Sequence, residues 1–104
     1  MTGLTLVYTT LDSVDRAADI AGTVVEERLA ACAQVLAPIT STYRWQGKVE
    51  TAQEWPLLLK VASTDAERLI ERLGVLHPYD LPVIEWWPAS TTPGALAWLA
   101  ESVA

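Results

Sequence analysis

The chain switches between two hydrophobic periods, and the switches mark its elements. Residues 4–10, LTLVYTT, are apolar and β-branched and run into a polar turn, which predicts a buried strand. Asp12 and Ser13 then open a helix, with Asp15 near the positive end of its dipole. Val14, Ala17, Ala18, Ala21, Val24, Val25 and Leu29 recur at helical spacing, while Asp15, Arg16, Asp19, Glu26 and Glu27 fall mostly on the other face. The pattern predicts a helix running to about Ala31.

The period then drops to two. From 33 to 45 the odd positions are Ala33, Val35, Ala37, Ile39, Ser41, Tyr43 and Trp45, and Gln34, Thr40, Thr42 and Arg44 stand between them. Such alternation predicts a strand with one buried face. Gln46 and Gly47 supply a tight turn, since glycine adopts positive φ freely. Residues 48–62 alternate again, with Val49, Thr51, Trp55, Leu57, Leu59 and Val61 against Glu50, Glu54 and Lys60. Pro38 and Pro56 cannot donate to a ladder, so each is expected at a bulge or an unpaired edge.

Thr64 and Glu67 have the spacing of a capping box, and Leu69, Ile70, Leu73 and Leu76 continue it as an amphipathic helix. His77-Pro78 ends that helix, because proline disfavours a helical residue before it. Leu81 to Trp87 read as a strand. Thr92-Pro93 open a last helix, with Leu96, Leu99 and Val103 on one face.

The order is β-α-β-β-α-β-α in one α+β domain over residues 1–104, and its first six elements match the split βαβ, or ferredoxin-like, pattern. Each hairpin arm has about 13 residues and spans about 40 Å, against about 5–6 residues for an ordinary strand. Arms of that length overhang the body. An overhanging apolar edge promotes aggregation unless it is covered, which predicts closed association of copies by strand addition.

Composition supports a covered surface. The apolar fraction is 51%, with five Trp and no Phe, and Trp is enriched at interfaces. A net charge of −6 argues against nucleic acid and anionic membrane as partners, because both need clustered Lys and Arg. The single Cys cannot form an intrachain disulfide, which favours a reducing compartment. Residues 1–5 lack a basic and an apolar region of the signal-peptide type, and no run of about 18 apolar residues occurs. Together these predict a cytoplasmic protein.

Several segments resemble the CutA1 divalent-cation-tolerance family. They are Thr9-Thr10 at the end of the first strand, Glu27-Arg28-Leu29-Ala30-Ala31-Cys32, and Ser41-Thr42-Tyr43-Arg44-Trp45-Gln46-Gly47-Lys48. Glu54 with Leu57-Leu58-Leu59-Lys60, then His77-Pro78-Tyr79-Asp80-Leu81-Pro82 and Ala97-Trp98-Leu99, complete the set. The resemblance covers nearly the whole chain, in order. It implies a ferredoxin-like fold assembled as a homotrimer similar to the PII signalling proteins, and a role in tolerance of copper and other divalent metals. It also implies that the His77-Pro78-Tyr79 segment borders an intersubunit cleft. Val61, Arg44 and Pro56 depart from the family's usual residues, and the first two are in a position to alter a cleft.

The soft or borderline metal donors are Cys32, His77 and Met1, without CxxC or HxxxH spacing. Zinc sites take three or four protein ligands, so a metal site would combine copies of the chain, joining Cys32 or His77 to a carboxylate such as Glu54. Copper favours thiolate and imidazole among such donors. Cys32 also suits simple packing, and His77 suits a helix C-terminus, where a cationic imidazole complements the dipole.

Glu54, Glu50 and Lys60 share one face of their strand. Roughly 20 Å separates Glu54 from Lys60, so the two cannot pair there. Lys60 is a candidate for holding an anion in a cleft, and Glu54 and Glu85 for holding a cation, with Tyr79 beside them; a merely solvated face is the plain alternative. Tyr43 and Trp45 are interface candidates, because a base-stacking platform needs flanking basic charge. Trp86 and Trp87 face opposite ways, and at least one is expected in a core or an interface. Ser41, Ser63 and Thr10 have no adjacent base, and no glycine-rich phosphate loop occurs. The leading expectation is a non-enzymatic trimer that binds copper or another divalent metal at intersubunit clefts. The second is a PII-like signalling module that binds a small anionic ligand in the same cleft. An enzyme using Glu54, Lys60 and His77 across an interface ranks third.

Overall fold

A computed structural model describes residues 2–103. The elements are β1 (Leu4–Leu11), α1 (Val14–Glu26), β2 (Cys32–Val35), β3 (Ile39–Trp45), β4 (Lys48–Ala62), α2 (Ala66–Leu76), β5 (Glu85–Ala89) and α3 (Pro93–Ser102). One antiparallel sheet has the order β2-β4-β1-β5, and β3 pairs with β4 beyond β2. This is the ferredoxin-like split βαβ arrangement with an added C-terminal helix. Val7 and Leu11 of β1 and Leu57, Leu59 and Val61 of β4 face the helices, where Ala17, Ile20 and Val24 of α1 and Leu69 and Leu73 of α2 close the core. Glu27 and Arg72 tie the ends of α1 and α2 together through two hydrogen bonds of 2.8 Å.

The first helix stops at Glu26, short of the expected Ala31. Arg28 takes φ 61°, its N–H bonds the Val25 carbonyl, and the Leu29 N–H bonds the Val24 carbonyl. This is a Schellman cap with arginine at the left-handed position that glycine usually fills. The Arg28 guanidinium also donates to the Glu101 carbonyl at 3.1 Å. Arg28→Val is expected to lower stability by about 1–2 kcal/mol, because a β-branched side chain resists left-handed backbone. Arg28→Gly is expected to stay within about 0.5 kcal/mol, since relief of that strain offsets the lost hydrogen bond. Urea unfolding of both variants checks this, and equal losses would assign the effect to the Glu101 contact instead.

The strand expected over 33–45 is two strands. Val35 pairs with Leu57 and Ile39 with Glu54, so residues 36–38 oppose only residues 55–56. The extra residue is a bulge, and it holds Pro38. Pro56 accepts from the Leu36 N–H, so its own nitrogen looks toward the same break, where no ladder donor is required. The bulge changes which side chains share a face. Before it, Ala33 and Val35 stand with Leu59 and Leu57; beyond it, Ile39, Ser41 and Tyr43 stand with Glu54, Ala52 and Glu50. Beyond the bulge, Ile39 and Tyr43 of the first arm therefore share a face with the carboxylates of the second.

Two further boundaries differ. The capping box does not form: residues Ser63–Asp65 make a turn of 3-10 helix, and Thr64 donates to Asp65 rather than capping α2. The last strand is Glu85–Ala89 rather than 81–87. Pro82 lacks a ladder donor, and the Thr9 hydroxyl takes the Val83 carbonyl at 2.8 Å, so this stretch is held by a side chain instead of a strand. Trp86 and Trp87 pair with Val7 and Leu6 and face opposite ways, as expected, but both are exposed and neither joins the core of the chain.

The α3 cap is as expected. Thr92 accepts from the Ala95 N–H, Pro93 is the first helical residue, and Leu99 is buried. The molecule measures 46 × 24 × 23 Å. Its long axis reflects the hairpin: β1 ends against Trp55, so β4 from Lys48 to Glu54 has only β3 beside it.

Candidate functional site

Consecutive residues of a strand point to opposite faces, and Thr9 and Thr10 use both. Thr9 is 1% exposed and donates to the Val83 carbonyl. Thr10 donates to Glu54 Oε2 at 2.9 Å, where the hairpin leaves the body. Tyr79 donates to the same oxygen at 2.6 Å, and Ser41 also hydrogen-bonds this carboxylate. Burial pushes the Glu54 carboxyl up, but the three hydroxyls and the nearby His77 outweigh it, and its pKa lies below the usual carboxylate value. Burial and the Glu54 carboxylate both push the Tyr79 phenol upward, so it remains a hydrogen-bond donor.

His77 follows α2 and is 8% exposed. Its Nδ1 accepts from the Tyr79 N–H at 3.2 Å. The ring proton therefore sits on Nε2, which donates to the Thr10 carbonyl and to Thr9 Oγ1, each at 3.0 Å. The ring meets Tyr79 edge-on, with centroids 4.6 Å apart. Neither nitrogen keeps a free lone pair. His77 thus positions Tyr79, and through it Glu54, and is not an open metal donor within the chain. It is also not the cationic helix cap, because burial lowers its pKa against the pull of Thr10, Asp12 and Glu54.

A histidine whose pKa is lower in the folded than in the unfolded chain is protonated preferentially on unfolding, so acid destabilises the fold. The His77 contribution is complete above about pH 6.5 and is lost as pH falls through the lower folded value. The Glu54 contribution is complete above about pH 4.5 and is lost below it. Stability is expected to fall in these two windows on acidification, with the upper one absent in His77→Gln. Urea midpoints taken across pH test this. A wild-type midpoint that stays flat through the upper window would contradict a buried neutral imidazole.

These residues edge a groove of about 810 Å³ between the hairpin and the 78–85 segment. Tyr8, Tyr43, Trp45 and Tyr79 give it aromatic walls. Asp12, Glu50, Glu54, Asp80 and Glu85 line it as well, against Arg44 as the basic residue among the described lining. The bulge produces this mixture by placing Tyr43 opposite Glu50 and Ile39 opposite Glu54.

The structure brings Glu54, Tyr79, Glu85, Tyr43 and Trp45 together and leaves two candidates out. Lys60 and Cys32 face each other near the other end of β4, roughly 20 Å from Glu54. Lys60 does not line the groove, and Cys32, partly buried, opens β2. Met1 lies outside the described residues. Among the described residues no three His, Cys, Asp or Glu side chains converge as metal ligands. Thr10 and Ser41 as organisers of Glu54, and Thr9 as the partner of His77, are not among the expectations from sequence. The available signal was a pair of hydroxyl residues ending an apolar strand, since buried hydroxyls need partners.

An antiparallel ferredoxin-like sheet, with one hairpin drawn out past the body to wall an acidic groove, defines the class of protein. The chain belongs to the CutA1 divalent ion tolerance protein family, whose profile matches residues 5–102. It is 43% identical over 98 residues to the divalent-cation tolerance protein CutA of Thermus thermophilus, covering 93% of this chain and 95% of that one. The crystal structure of CutA from Xylella fastidiosa matches with a TM-score of 0.92 at 39% identity, over 98% of this chain and 99% of that one. The chloroplastic CutA of Arabidopsis thaliana is 34% identical over 100 residues, which cover 93% of this chain but 54% of that protein. That relative's name shows that the compartment varies among similar chains, so the expectation of a cytoplasmic protein gains nothing from the comparison. Among the described residues no helix is long and apolar enough to cross a membrane.

Proposed function

We propose that this protein contributes to divalent-cation tolerance by binding a divalent metal in clefts between the copies of a homotrimer, as a binding protein rather than an enzyme. The observation that carries the reading is the groove, where five carboxylates face one arginine at the foot of an overhanging hairpin. Among the described residues one chain does not complete a metal site, so the proposal takes further donors from a second copy. The hairpin gives a reason for association, because Ile39, Tyr43, Trp45 and Val49 are exposed along it. Copper specifically would call on Cys32 and His77. The first is far from the groove and the second is fully hydrogen-bonded, so the oxygen-rich lining favours a carboxylate-seeking ion such as Mn(II) over copper.

The groove's charge weighs against the second expectation, a small anionic ligand, and Lys60 does not reach it. Calorimetric titration with Mn(II), Zn(II) and Cu(II) tests the proposal. Saturable binding is expected, weakened about tenfold or more in Glu54→Gln. Absence of saturable binding for all three ions would overturn it.

A further inference from the structure

Residues 78–84 lie between α2 and the β5 ladder, which begins at Glu85. Side chains hold this stretch to the body, and they converge on one ring. The Tyr79 N–H donates to His77 Nδ1 at 3.2 Å. The His77 Nε2–H donates to Thr9 Oγ1 at 3.0 Å, and the Thr9 hydroxyl in turn donates to the Val83 carbonyl at 2.8 Å. The Tyr79 hydroxyl then reaches Glu54. Ile84 packs against the core, while Pro78, Asp80, Leu81 and Val83 are exposed, so little burial opposes a local opening.

The imidazole makes this set of bonds only when neutral. A second proton would enter at Nδ1, because Nε2 already carries one, and the new Nδ1–H would face the Tyr79 N–H, donor against donor. The Tyr79 backbone has to move before either proton finds an acceptor. We propose that His77 is an acid-released latch: neutral, it clamps residues 78–84 to the body, and on taking a proton from solvent at Nδ1 it frees them and draws Tyr79 away from Glu54. All these donors and acceptors belong to one chain, and the latch is independent of what the groove binds. The titratable groups facing the ring are Asp12, from the turn after β1, Glu54 of β4 and Tyr79. β1 itself adds the uncharged Thr9 and Thr10, and Arg16 of α1 is paired with Asp12 at 3.3 Å. The two carboxylates favour the cation, but burial outweighs them, so the closed form keeps the neutral ring.

Hydrogen exchange of the full assembled chain, in buffer cleared of metal by a chelator, tests the latch. Corrected for the pH dependence of intrinsic exchange, the opening of residues 79–84 is expected to rise about tenfold for each pH unit below about 6.5, until the closed form takes the proton as well. His77→Gln keeps a donor and an acceptor but gains no proton, and its opening is expected to stay flat above about pH 4.5. A flat wild-type profile, or the wild-type slope persisting in His77→Gln, would overturn the proposal. So would opening of residues 79–84 at the same constant as the core amides of β1 and β4, since the segment would then open only with the whole fold. His77 is the single histidine, so nitrogen NMR of histidine-labelled wild type reads its ring directly. The Nε2–H tautomer is expected at neutral pH, and an Nδ1–H tautomer would equally overturn the latch.

Discussion

Leu59→Ala is expected to lower the stability of the fold by about 3–4 kcal/mol, the middle of the range for leaving a cavity in place of a buried leucine. Leu59 is fully buried in the middle of β4, between Val7 of β1 and Ala33 of β2. It sits where α1 and α2 close over the sheet, so the surrounding backbone has little freedom to collapse into the gap. A domain of this length is stabilised by about 5–15 kcal/mol in total, and the loss is a large share of that. Val75→Ala, on α2 and 72% exposed, is expected to change the stability by less than about 0.5 kcal/mol. Urea unfolding at a fixed protomer concentration makes the comparison, because association adds a concentration-dependent term to both. Similar losses in the two variants would contradict the placing of Leu59 at the centre of the core.

His77→Ala is the second large effect, expected at about 2–3 kcal/mol. The substitution removes a buried ring and leaves the Thr10 carbonyl and the Tyr79 N–H without their partners. Its consequence reaches the groove. Tyr79 is held by the ring through its backbone and packs edge-on against it, and Tyr79 in turn holds Glu54. His77→Ala is therefore expected to weaken cation binding as well as stability. His77→Gln is expected to recover part of both, because its amide can donate and accept along the same directions. Were His77 instead a direct metal ligand, the Gln variant would bind as poorly as the Ala variant while regaining stability. Paired unfolding and titration of the two variants decides between a positioning and a ligating role.

The element order was readable because the hydrophobic period is unambiguous in most segments. Period two runs through most of 48–62, broken at Gln53 and Leu58, and Thr92-Pro93 marks a helix start by chemistry alone. Three features were not readable, each for a physical reason. The left-handed cap at Arg28 carries no glycine to announce it. The bulge at 36–38 is a property of pairing, since its effect on faces depends on how residue 35 and residue 39 register against β4. One inserted residue reverses every side chain beyond it, so the alternation that predicted the strands could not predict which walls they share. The role of His77 depends on partners 67 and 68 residues away, and a helix C-terminus close in sequence offered it a cationic role that burial excludes. Glu54 and Tyr79 were legible together, because the segments that carry them stood out together, and Glu85 entered by its charge alone. Lys60 shares a strand face and a family-like segment with Glu54, but six residues of strand, roughly 20 Å, keep it out of the groove.

The proposed site for a divalent cation is the bulge-built groove beside Glu54, completed by a neighbouring copy. Anomalous diffraction from crystals of the assembled protein grown with Mn(II) tests it most directly. An ordered metal peak is expected in the groove, within direct coordination distance of Glu50, Glu54 or Glu85 and of at least one donor from another copy. Metal peaks found only away from the groove, at Cys32 or on the outer faces of the helices, would contradict it.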